Sequence, residues 1–198
     1  KTLATNSRNN PGINLAKIGV YGGTFDPIHK GHLHVITEIL ERGLLNKILL
    51  IPAGQPRLRE SVPVASAAER RAMCVAALGD LRPEIAKLVE VNPIEILREG
   101  PSYTIDTVAA VVNSFPDDQI SVIVGTDAYS KIDQWHRASE LKDMVDFIII
   151  DRPDFPGAPN LDIGALNISA TTVRAGDITS VSPQVAAYIK EHDLYASK

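Results

Sequence analysis

Two histidines, His29 and His32, stand one helical turn apart with Lys30 between them, and Gly22 and Gly23 come shortly before. Glycine has no Cβ, so the backbone at Gly22 and Gly23 lets a ligand approach closely. Three side chains that carry nitrogen therefore gather beside an open stretch of backbone. This group predicts an anion site, and phosphate is the anion that we expect there.

A strand before this group and a helix after it must hold it in place. Residues 17–21 are apolar enough for a buried strand, and from residue 33 apolar side chains recur every three or four positions, which is typical of a helix. The start of a helix leaves amide N–H groups unpaired and carries a partial positive charge, so it favours phosphate. The sequence therefore predicts a strand, a tight glycine turn and a helix that begins at the phosphate site.

Two other interpretations of His29 and His32 are a metal pair and ordinary surface histidines. A metal pair needs further ligands, and no third ligand follows at a clear spacing. A single histidine would favour a surface position, but two that flank Lys30 and Gly31 after a glycine turn favour phosphate. The G-x-G-x-x-G pattern of dinucleotide-binding proteins and the P-loop lysine pattern are both absent from this stretch. The phosphate site is therefore of another kind.

The bulk composition is that of an ordinary globular protein and limits the classes of function. The chain has 198 residues and a net charge of −4, which argues for one domain and against a general nucleic-acid binder. No apolar run approaches the roughly 20 residues of a membrane span, so we expect no membrane partner. Residues 1–15 are polar and rich in asparagine, and we expect a flexible extension there, followed by a single domain over residues 16–198.

Two individual side chains are expected to be structural. Cys74 is the only cysteine, so no internal disulfide forms, which suits a cytoplasmic protein. Its apolar neighbours predict a buried thiol without a group that would activate it. Asp26 precedes Pro27, and we expect it to form a turn rather than to take part in catalysis.

Strands and helices alternate along the rest of the chain. The predicted strands are residues 17–21, 47–51, 121–124 and 146–150, with a bent or edge strand within residues 87–96 because Pro93 interrupts it. Besides the helix after His29, the predicted helices start at Ser66, with Glu69 completing a capping box, at Ser102 or Thr104, and at Ser182 with Pro183.

The composition of the strands predicts the architecture. Residues 48–51, 122–124 and 147–150 are continuously apolar rather than alternating, as strands covered on both faces are. Together with the intervening helices they predict an α/β fold, a doubly wound, Rossmann-like parallel sheet with helices on both faces. Ligands of such sheets bind beyond the carboxyl ends of the strands. Because the unusual polar motifs follow strands, we expect them to converge on one edge of the sheet.

Two motifs resemble the signature of the nucleotidyltransferase superfamily, which includes the class I aminoacyl-tRNA synthetases. Residues 22–32, GGTFDPIHKGH, resemble its T/H-x-G-H motif, and residues 168–174, ISATTVR, resemble its I-S-S-T-x-x-R motif. The two stand in the same order as in that superfamily and about 140 residues apart, which is much more specific than either motif alone.

Within that superfamily the chain resembles the bacterial nicotinate mononucleotide adenylyltransferases. Residues 101–107, PSYTIDT, resemble that family's P-[ST]-Y-T-x-[DN]-T segment, and Gly125-Thr126-Asp127 followed by Trp135-His136 resembles its G-x-D…W segment. Residues 188–195 resemble its terminal helix. The resemblance covers about residues 17–195.

The resemblance implies transfer of AMP from ATP to nicotinate mononucleotide, which gives deamido-NAD and pyrophosphate. It implies that His29, His32 and Arg174 are catalytic and that Mg²⁺ enters with ATP, held by phosphate oxygens and water rather than by an all-protein site. Arg174 would clamp the β- and γ-phosphates with its planar fork of donors. The other ATP-binding residues that it implies are Gly22, Gly23, Thr24, Phe25, Lys30, Gly31, Ile168, Ser169 and Thr171.

For nicotinate mononucleotide the resemblance implies a second set of residues, namely Tyr103, Thr104, Gly125, Asp127, Trp135 and Arg152. Trp135 would stack on the pyridine ring, with a place in the core as the alternative. Thr104 and neighbouring amides would bind the carboxylate. Asp127 would accept from ribose hydroxyls, and it could also cap a helix.

The chain departs from the family pattern at three places. Ala170 replaces the second serine of the I-S-S-T-x-x-R motif, Arg57 and Arg59 stand where relatives often have lysine, and the segment between Arg174 and Pro183 is short. Two alternative functions follow. Phosphopantetheine adenylyltransferases share both phosphate motifs but lack the segments around Thr104 and Trp135, and a nucleotide-binding sensor would need no catalysis. The sequence leaves a homo-oligomer open.

Overall fold

The structure is a computed structural model that describes residues 15–56, 62–155 and 157–196. Its strands are β1 Lys17–Gly23, β2 Lys47–Pro52, β3 Val89–Val91, β4 Gln119–Gly125 and β5 Asp146–Ile150. Its α-helices are α1 Lys30–Glu41, α2 Ala67–Leu78, α3 Pro83–Ala86, α4 Ile94–Leu97, α5 Thr104–Ser114, α6 Thr126–Tyr129, α7 Ala138–Met144, α8 Ala170–Arg174 and α9 Pro183–Glu191. Short 3₁₀ turns span Ile132–Gln134 and Ile178–Ser180.

The strands form one parallel sheet in the order β3-β2-β1-β4-β5. Connections run outward from the centre in both directions, so the strand order reverses between β1 and β4. The carboxyl ends of these two strands, at Gly23 and Gly125, lie at that reversal, where ligands of open parallel sheets bind. The predicted doubly wound α/β fold is confirmed.

Two apolar cores, one on each face of the sheet, explain the continuously apolar strands. Ile48 and Leu50 of β2 pack into the core that α1, α2 and α9 cover, whereas Leu49 and Ile51 pack into the core that α5 and α7 cover. Successive side chains of a strand point to opposite faces, so a strand covered on both faces needs apolar residues throughout. Cys74 lies in the first core, and burial raises the pKa of its thiol, as the prediction of an unreactive cysteine requires.

Helix starts account for several predicted boundaries. The Ser66 hydroxyl accepts from the backbone N–H of Glu69 at 3.2 Å, and the Glu69 carboxylate accepts from the N–H of Ser66 at 2.7 Å. This capping box starts α2, which ends at Leu78 as predicted. Ser182 and Pro183 hold the N-cap and first positions of α9, also as predicted.

Two local predictions about helix caps were wrong, and one about a strand is confirmed in part. β3 is the edge strand expected within residues 87–96, but it ends at Val91, and after Pro93 the chain turns into α4. Neither Ser102 nor Thr104 caps α5, whose N-cap is Tyr103. The Ser102 hydroxyl instead accepts from backbone N–H groups of the loop after β2. Asp127 is not an N-cap, because α6 begins one residue earlier.

Some predictions fall outside the described residues. Residues 1–14 of the expected extension do so, and the boundary at residue 16 stays a prediction. Arg57 and Arg59 belong to the segment 57–61, which is likewise not described. Among the helices of the described ranges, none is long and apolar enough to cross a membrane.

Candidate active site

The start of α1 holds His29 and His32 against each other. The backbone N–H of His29 donates to Nδ1 of His32 at 3.1 Å, and the two rings are stacked with centroids 3.7 Å apart. Because Nδ1 of His32 is an acceptor, the proton of the neutral ring lies on Nε2. The helix start therefore fixes both the orientation and the tautomer of His32.

His29 is the more buried of the two, with 3% of its surface exposed. Burial, and then the positive charge of Arg152, lowers the pKa of His29 from 6.5 to about 3. Its Nδ1 is buried without a hydrogen-bond partner among the described residues. At neutral pH His29 is therefore an uncharged imidazole with unused hydrogen-bonding capacity. The positive charge at the turn that leads into α1, which we call the phosphate corner, comes from other side chains.

Arg174 joins the second sequence motif to the first. Its Nη1 donates to the backbone carbonyl of Asp26 at 2.6 Å, and its Nη2 donates to Oγ1 of Thr171 at 3.1 Å. Ser169 is the N-cap of α8, and its hydroxyl accepts from the N–H of Thr172 at 3.2 Å. The guanidinium therefore lies across the turn that leads into α1, although 148 residues separate it from Asp26.

The packing at Gly31 brings Ile168 to the same place. A Cβ at Gly31 would lie 3.0 Å from Nδ1 of His29 and 3.7 Å from Cβ of Ile168. A side chain at Gly31 would therefore crowd the His29 ring, whereas the distance to Ile168 is an ordinary van der Waals contact that shows the two motifs side by side. The structure thus brings together the predicted residues of both phosphate motifs, His29, Gly31, His32, Ile168, Ser169, Thr171 and Arg174.

Asp26 lies in the turn before α1 and is buried, with 1% of its surface exposed. Its carboxylate accepts from the backbone N–H groups of Val64 and Ala65 at 2.9 and 3.1 Å, and from the hydroxyl of Tyr195 at 2.8 Å. These bonds go beyond the turn that the sequence predicts. They tie the loop before α2 and the end of the described chain to the turn before α1.

A buried arginine that the sequence analysis did not single out supports two loops at once. Arg70 is 1% exposed, and its Nη1 donates to the carbonyl of Thr24 at 2.6 Å. Its Nη2 donates to the carbonyls of Ala53 and Gly54 at 2.7 and 3.3 Å. Arg70 therefore joins the backbone after β1 to the backbone after β2 beneath the site.

Two cavities open at the carboxyl ends of β1 and β4, on either side of the sheet. The histidine cavity, of about 180 Å³, is bordered by His32, Phe25, Gly31, Asp127 and Arg152, among others. The tryptophan cavity, of about 300 Å³, is bordered by Trp135, Thr104, Thr24, Ser102 and Glu95, among others. They share a wall, which consists of Tyr21, Gly22, Gly23, Ile123, Val124 and Gly125.

The positions of the predicted pyridine-nucleotide residues are divided between the two cavities. Thr104 and Trp135 border the tryptophan cavity, whereas Asp127 and Arg152 border the histidine cavity, and Gly125 borders both. Tyr103 packs against the ring of His136 with centroids 4.4 Å apart. The structure therefore divides the residues that the resemblance groups together, and their binding of nicotinate mononucleotide stays a prediction.

Lys30 takes a position of its own at the first residue of α1. Its side chain is exposed, and Nζ donates to the backbone carbonyl of Thr179 at 2.8 Å. The Lys30 side chain thus connects the start of α1 with the short 3₁₀ turn after Arg174. A ligand phosphate near α1 would compete with that carbonyl for the ammonium.

The fold and this site define a nucleotidyltransferase. The sequence model of the Cytidylyltransferase-like family matches residues 20–179. A protein of Bacillus pumilus called "Probable nicotinate-nucleotide adenylyltransferase" is 34% identical over 200 residues, which cover 92% of this chain and 100% of that protein. One of the same name from Acidithiobacillus ferrooxidans is 38% identical over 177 residues, covering 89% and 78%.

Solved structures agree on the fold. A structure of nicotinic acid mononucleotide adenylyltransferase from Plasmodium falciparum in complex with NaAD aligns with a TM-score of 0.79 and 22% identity, covering 91% of this chain and 97% of that one. The chain therefore belongs to the nicotinate-nucleotide adenylyltransferase family, and the resemblance found in its motifs is confirmed.

Proposed function

We propose that the protein transfers AMP from ATP to nicotinate mononucleotide, giving deamido-NAD and pyrophosphate. The single observation that carries the proposal is the wall that the two cavities share at the ends of β1 and β4. A nucleotide in each cavity would bring its phosphate to Gly22 and Gly23. A Cβ at Gly22 would meet nothing within 4 Å, so there is open space beside this residue for a phosphate.

The proposed transfer of AMP requires that the two nucleotides are positioned correctly, and it does not require a strong base. The second pKa of a phosphate monoester is about 6, so the 5′-phosphate of the acceptor is already anionic at neutral pH. One of its oxygens attacks the α-phosphorus of ATP, the bond from that phosphorus to the bridging oxygen breaks, and pyrophosphate leaves with the electron pair. Groups that hold two anions in line and stabilise the charge on the leaving oxygen supply the catalysis.

Four side chains are proposed to do this work. His32 would donate from Nε2, since its Nδ1 is occupied by the N–H of His29. His29 would donate as a neutral ring, in keeping with its lowered pKa. Arg174 would add fixed positive charge, because its guanidinium is held by Asp26 and Thr171 and still has further N–H groups for phosphate oxygens. Lys30 would join them near the leaving pyrophosphate.

The other residues that border the histidine cavity support the proposal that ATP binds there. Asp127 would accept from ribose hydroxyls, and Arg152 would add charge close to His29. Gly22, Gly23, Phe25 and Gly31 border the same cavity and would lie beside the triphosphate, with Ile168, Ser169 and Thr171 behind it. Thr24, which borders the tryptophan cavity, would lie next to the shared wall. The place of Asp127 and Arg152 on the histidine cavity supports the proposal that they serve the nucleotide bound there rather than the pyridine nucleotide.

The residues of the tryptophan cavity suit an acceptor nucleotide that carries an aromatic ring. Trp135 is half-buried on its wall and would stack on the pyridine. Among the described residues that border this cavity there is no lysine, arginine or histidine. The carboxylate of nicotinate would be bound by hydroxyl and amide donors at the start of α5, where Thr104 and the partial positive charge of the helix terminus lie.

Mg²⁺ is proposed to accompany ATP. Within the described ranges no group of three or more His, Cys, Asp and Glu side chains is placed to hold a metal ion. The ion would be carried mainly by phosphate oxygens and water, as is usual for magnesium bound with a nucleotide. When bound, Mg²⁺ would neutralise charge on the triphosphate.

One experiment tests the proposal against its alternatives. Mg-ATP is supplied with nicotinate mononucleotide, nicotinamide mononucleotide or phosphopantetheine, and pyrophosphate release is measured. We expect a strong preference for the nicotinate form. Equal rates with the nicotinamide form would contradict the proposed carboxylate recognition, preference for phosphopantetheine would support the other adenylyltransferase, and no release with any acceptor would support a sensor.

A further inference from the structure

Glu95 is a buried carboxylate that the mechanism above does not use. It lies on the short helix α4, is 8% exposed and borders the tryptophan cavity. Burial raises the pKa of Glu95, while hydrogen bonds from Thr107 and Ser102 and the charge of Arg98 act in the opposite direction. Burial of a carboxyl group lowers stability unless hydrogen bonds compensate for the lost water. The polar neighbours of Glu95 can provide these hydrogen bonds, and Glu95 in turn can position them.

The neighbours of Glu95 lie on both sides of the start of α5. The Thr107 hydroxyl, in the first turn of that helix, donates to Oε1 of Glu95 at 2.8 Å and accepts from Nη1 of Arg98 at 3.2 Å. Ser102, just before the helix, lies near Glu95 and lowers the pKa of its carboxyl. The carboxylate therefore accepts from one hydroxyl of α5 and lies close to a second, and Thr104 stands between these two residues in the chain.

The same network reaches the loop after β2. The Ser102 hydroxyl accepts from the backbone N–H groups of Gly54 and Gln55 at 3.1 and 3.2 Å. A Cβ at Gly54 would overlap the backbone carbonyl of Glu95, so that loop lies directly against α4. The wall of the tryptophan cavity is therefore built from three segments that meet at Glu95.

We propose that Glu95 is a positioning residue that fixes the first turn of α5, and with it Thr104, for recognition of the acid group on the pyridine ring. The inference rests on the proposed function. Ser102 and Thr104 border that cavity, so binding of the acid would depend on where these hydroxyl groups and the nearby amide donors stand. Donors displaced by a fraction of an ångström lose much of their effect.

The test compares Glu95→Ala and Glu95→Gln with a matched control, Glu99→Gln, which changes an exposed carboxylate in the next segment of the chain. In Glu95→Ala we expect the KM for nicotinate mononucleotide to rise about tenfold or more, as the loss of charged hydrogen bonds implies. The KM for ATP should stay within about twofold, because the histidine cavity is not touched. Glu95→Gln keeps one acceptor oxygen and should recover part of the loss, and the control should match the wild type.

A second variant and a second measurement keep the inference falsifiable. If Glu95→Ala does not fold, Thr107→Val removes one donor with little change in shape, and the same selective rise in KM is expected. Hydrogen exchange at the amides of Gly54 and Gln55 should become faster in Glu95→Ala and stay unchanged in the control.

The outcomes separate the two proposals. An equal rise of both KM values, an unchanged KM for nicotinate mononucleotide, or unchanged exchange would each overturn the role of Glu95. If the wild-type protein does not use nicotinate mononucleotide at all, the proposed function fails, and the exchange measurement alone then decides whether Glu95 holds these segments in position.

Discussion

Nη1 of Arg174 donates to the backbone carbonyl of Asp26 at 2.6 Å and lies 3.8 Å from Oδ2 of the same residue. This contact fixes a guanidinium from the end of α8 over the turn that precedes α1. The Asp26 carboxylate is in turn held by Val64, Ala65 and Tyr195. Arg174 is therefore placed before any substrate arrives, which is what electrostatic stabilisation of a transition state requires.

Replacing Arg174 by lysine should lower kcat/KM for ATP by about 100-fold or more. Lysine keeps the charge but loses the planar fork, so it cannot bond Asp26, Thr171 and a phosphate together. Steady-state kinetics with varied ATP measures the change, and Arg82→Lys, an exchange at an exposed arginine, is the control. An Arg174→Lys protein with wild-type kcat/KM would show that the fork has no role.

His32→Ala should lower kcat by about 100-fold or more, because it removes a donor that is proposed to contact the transferring phosphate. The free energy of unfolding should fall by only about 1 kcal/mol, since the ring accepts one capping hydrogen bond. His32→Gln, which keeps an N–H donor at a similar reach, should recover part of the activity. Turnover and urea unfolding are the two measurements, and an unfolded His32→Ala protein would indicate a structural histidine instead.

The buried His29 makes the free energy of unfolding depend on pH. Its pKa is about 3 in the folded protein and 6.5 is its ordinary value, so between these values the unfolded chain binds more protons. Stability should therefore rise with pH across this window, by at most about 1.4 kcal/mol per pH unit from this residue, and be complete above pH 6.5. Urea unfolding of the wild type and of His29→Phe at several pH values between 4 and 7 checks this, with a flatter dependence expected for the variant; parallel curves for the two proteins would contradict it.

Gly22 and Gly23 should respond differently to alanine. A Cβ at Gly22 meets nothing within 4 Å, so Gly22→Ala should fold with a free energy of unfolding within about 1 kcal/mol of the wild type. It should nevertheless raise the KM for both nucleotides, because the methyl group occupies the wall that the two cavities share. A Cβ at Gly23 would lie 2.7 Å from the Phe25 ring, so Gly23→Ala should lose about 1–3 kcal/mol through overpacking. Calorimetry and kinetics on the pair check both statements; a Gly22→Ala protein with unchanged KM values would remove the reason for glycine there.

The sequence predicted those features that depend on neighbours in the chain or on simple periodicity. The capping box of Ser66 and Glu69, the apolar strands and the corner at His29 all carry local signals, and they were found. The positions of Arg70 and Glu95 were not found, because their partners are backbone and hydroxyl groups from separate segments. A lone arginine or glutamate in a sequence gives no sign that such groups surround it.

The division of residues between the cavities was also beyond the sequence. Asp127 and Trp135 follow the same strand, and their closeness in the chain suggests one ligand. Only the packing of α6 and the turn after it separates them onto opposite sides of the sheet. The helix at α4 was missed for a related reason, since Pro93 ends a strand and begins a helix equally well.

The hydrogen bonds to Asp26 have a consequence for folding during translation. Chains emerge from the ribosome from the N-terminus onward, so β1 and the turn at Asp26 appear early. Their partners Arg174 and Tyr195 are 148 and 169 residues further on. A nascent polypeptide that stalls before Tyr195 can already pair its strands, yet it leaves the buried carboxylate short of a donor. The contacts around Asp26 are thus among the last in the molecule to be completed during translation.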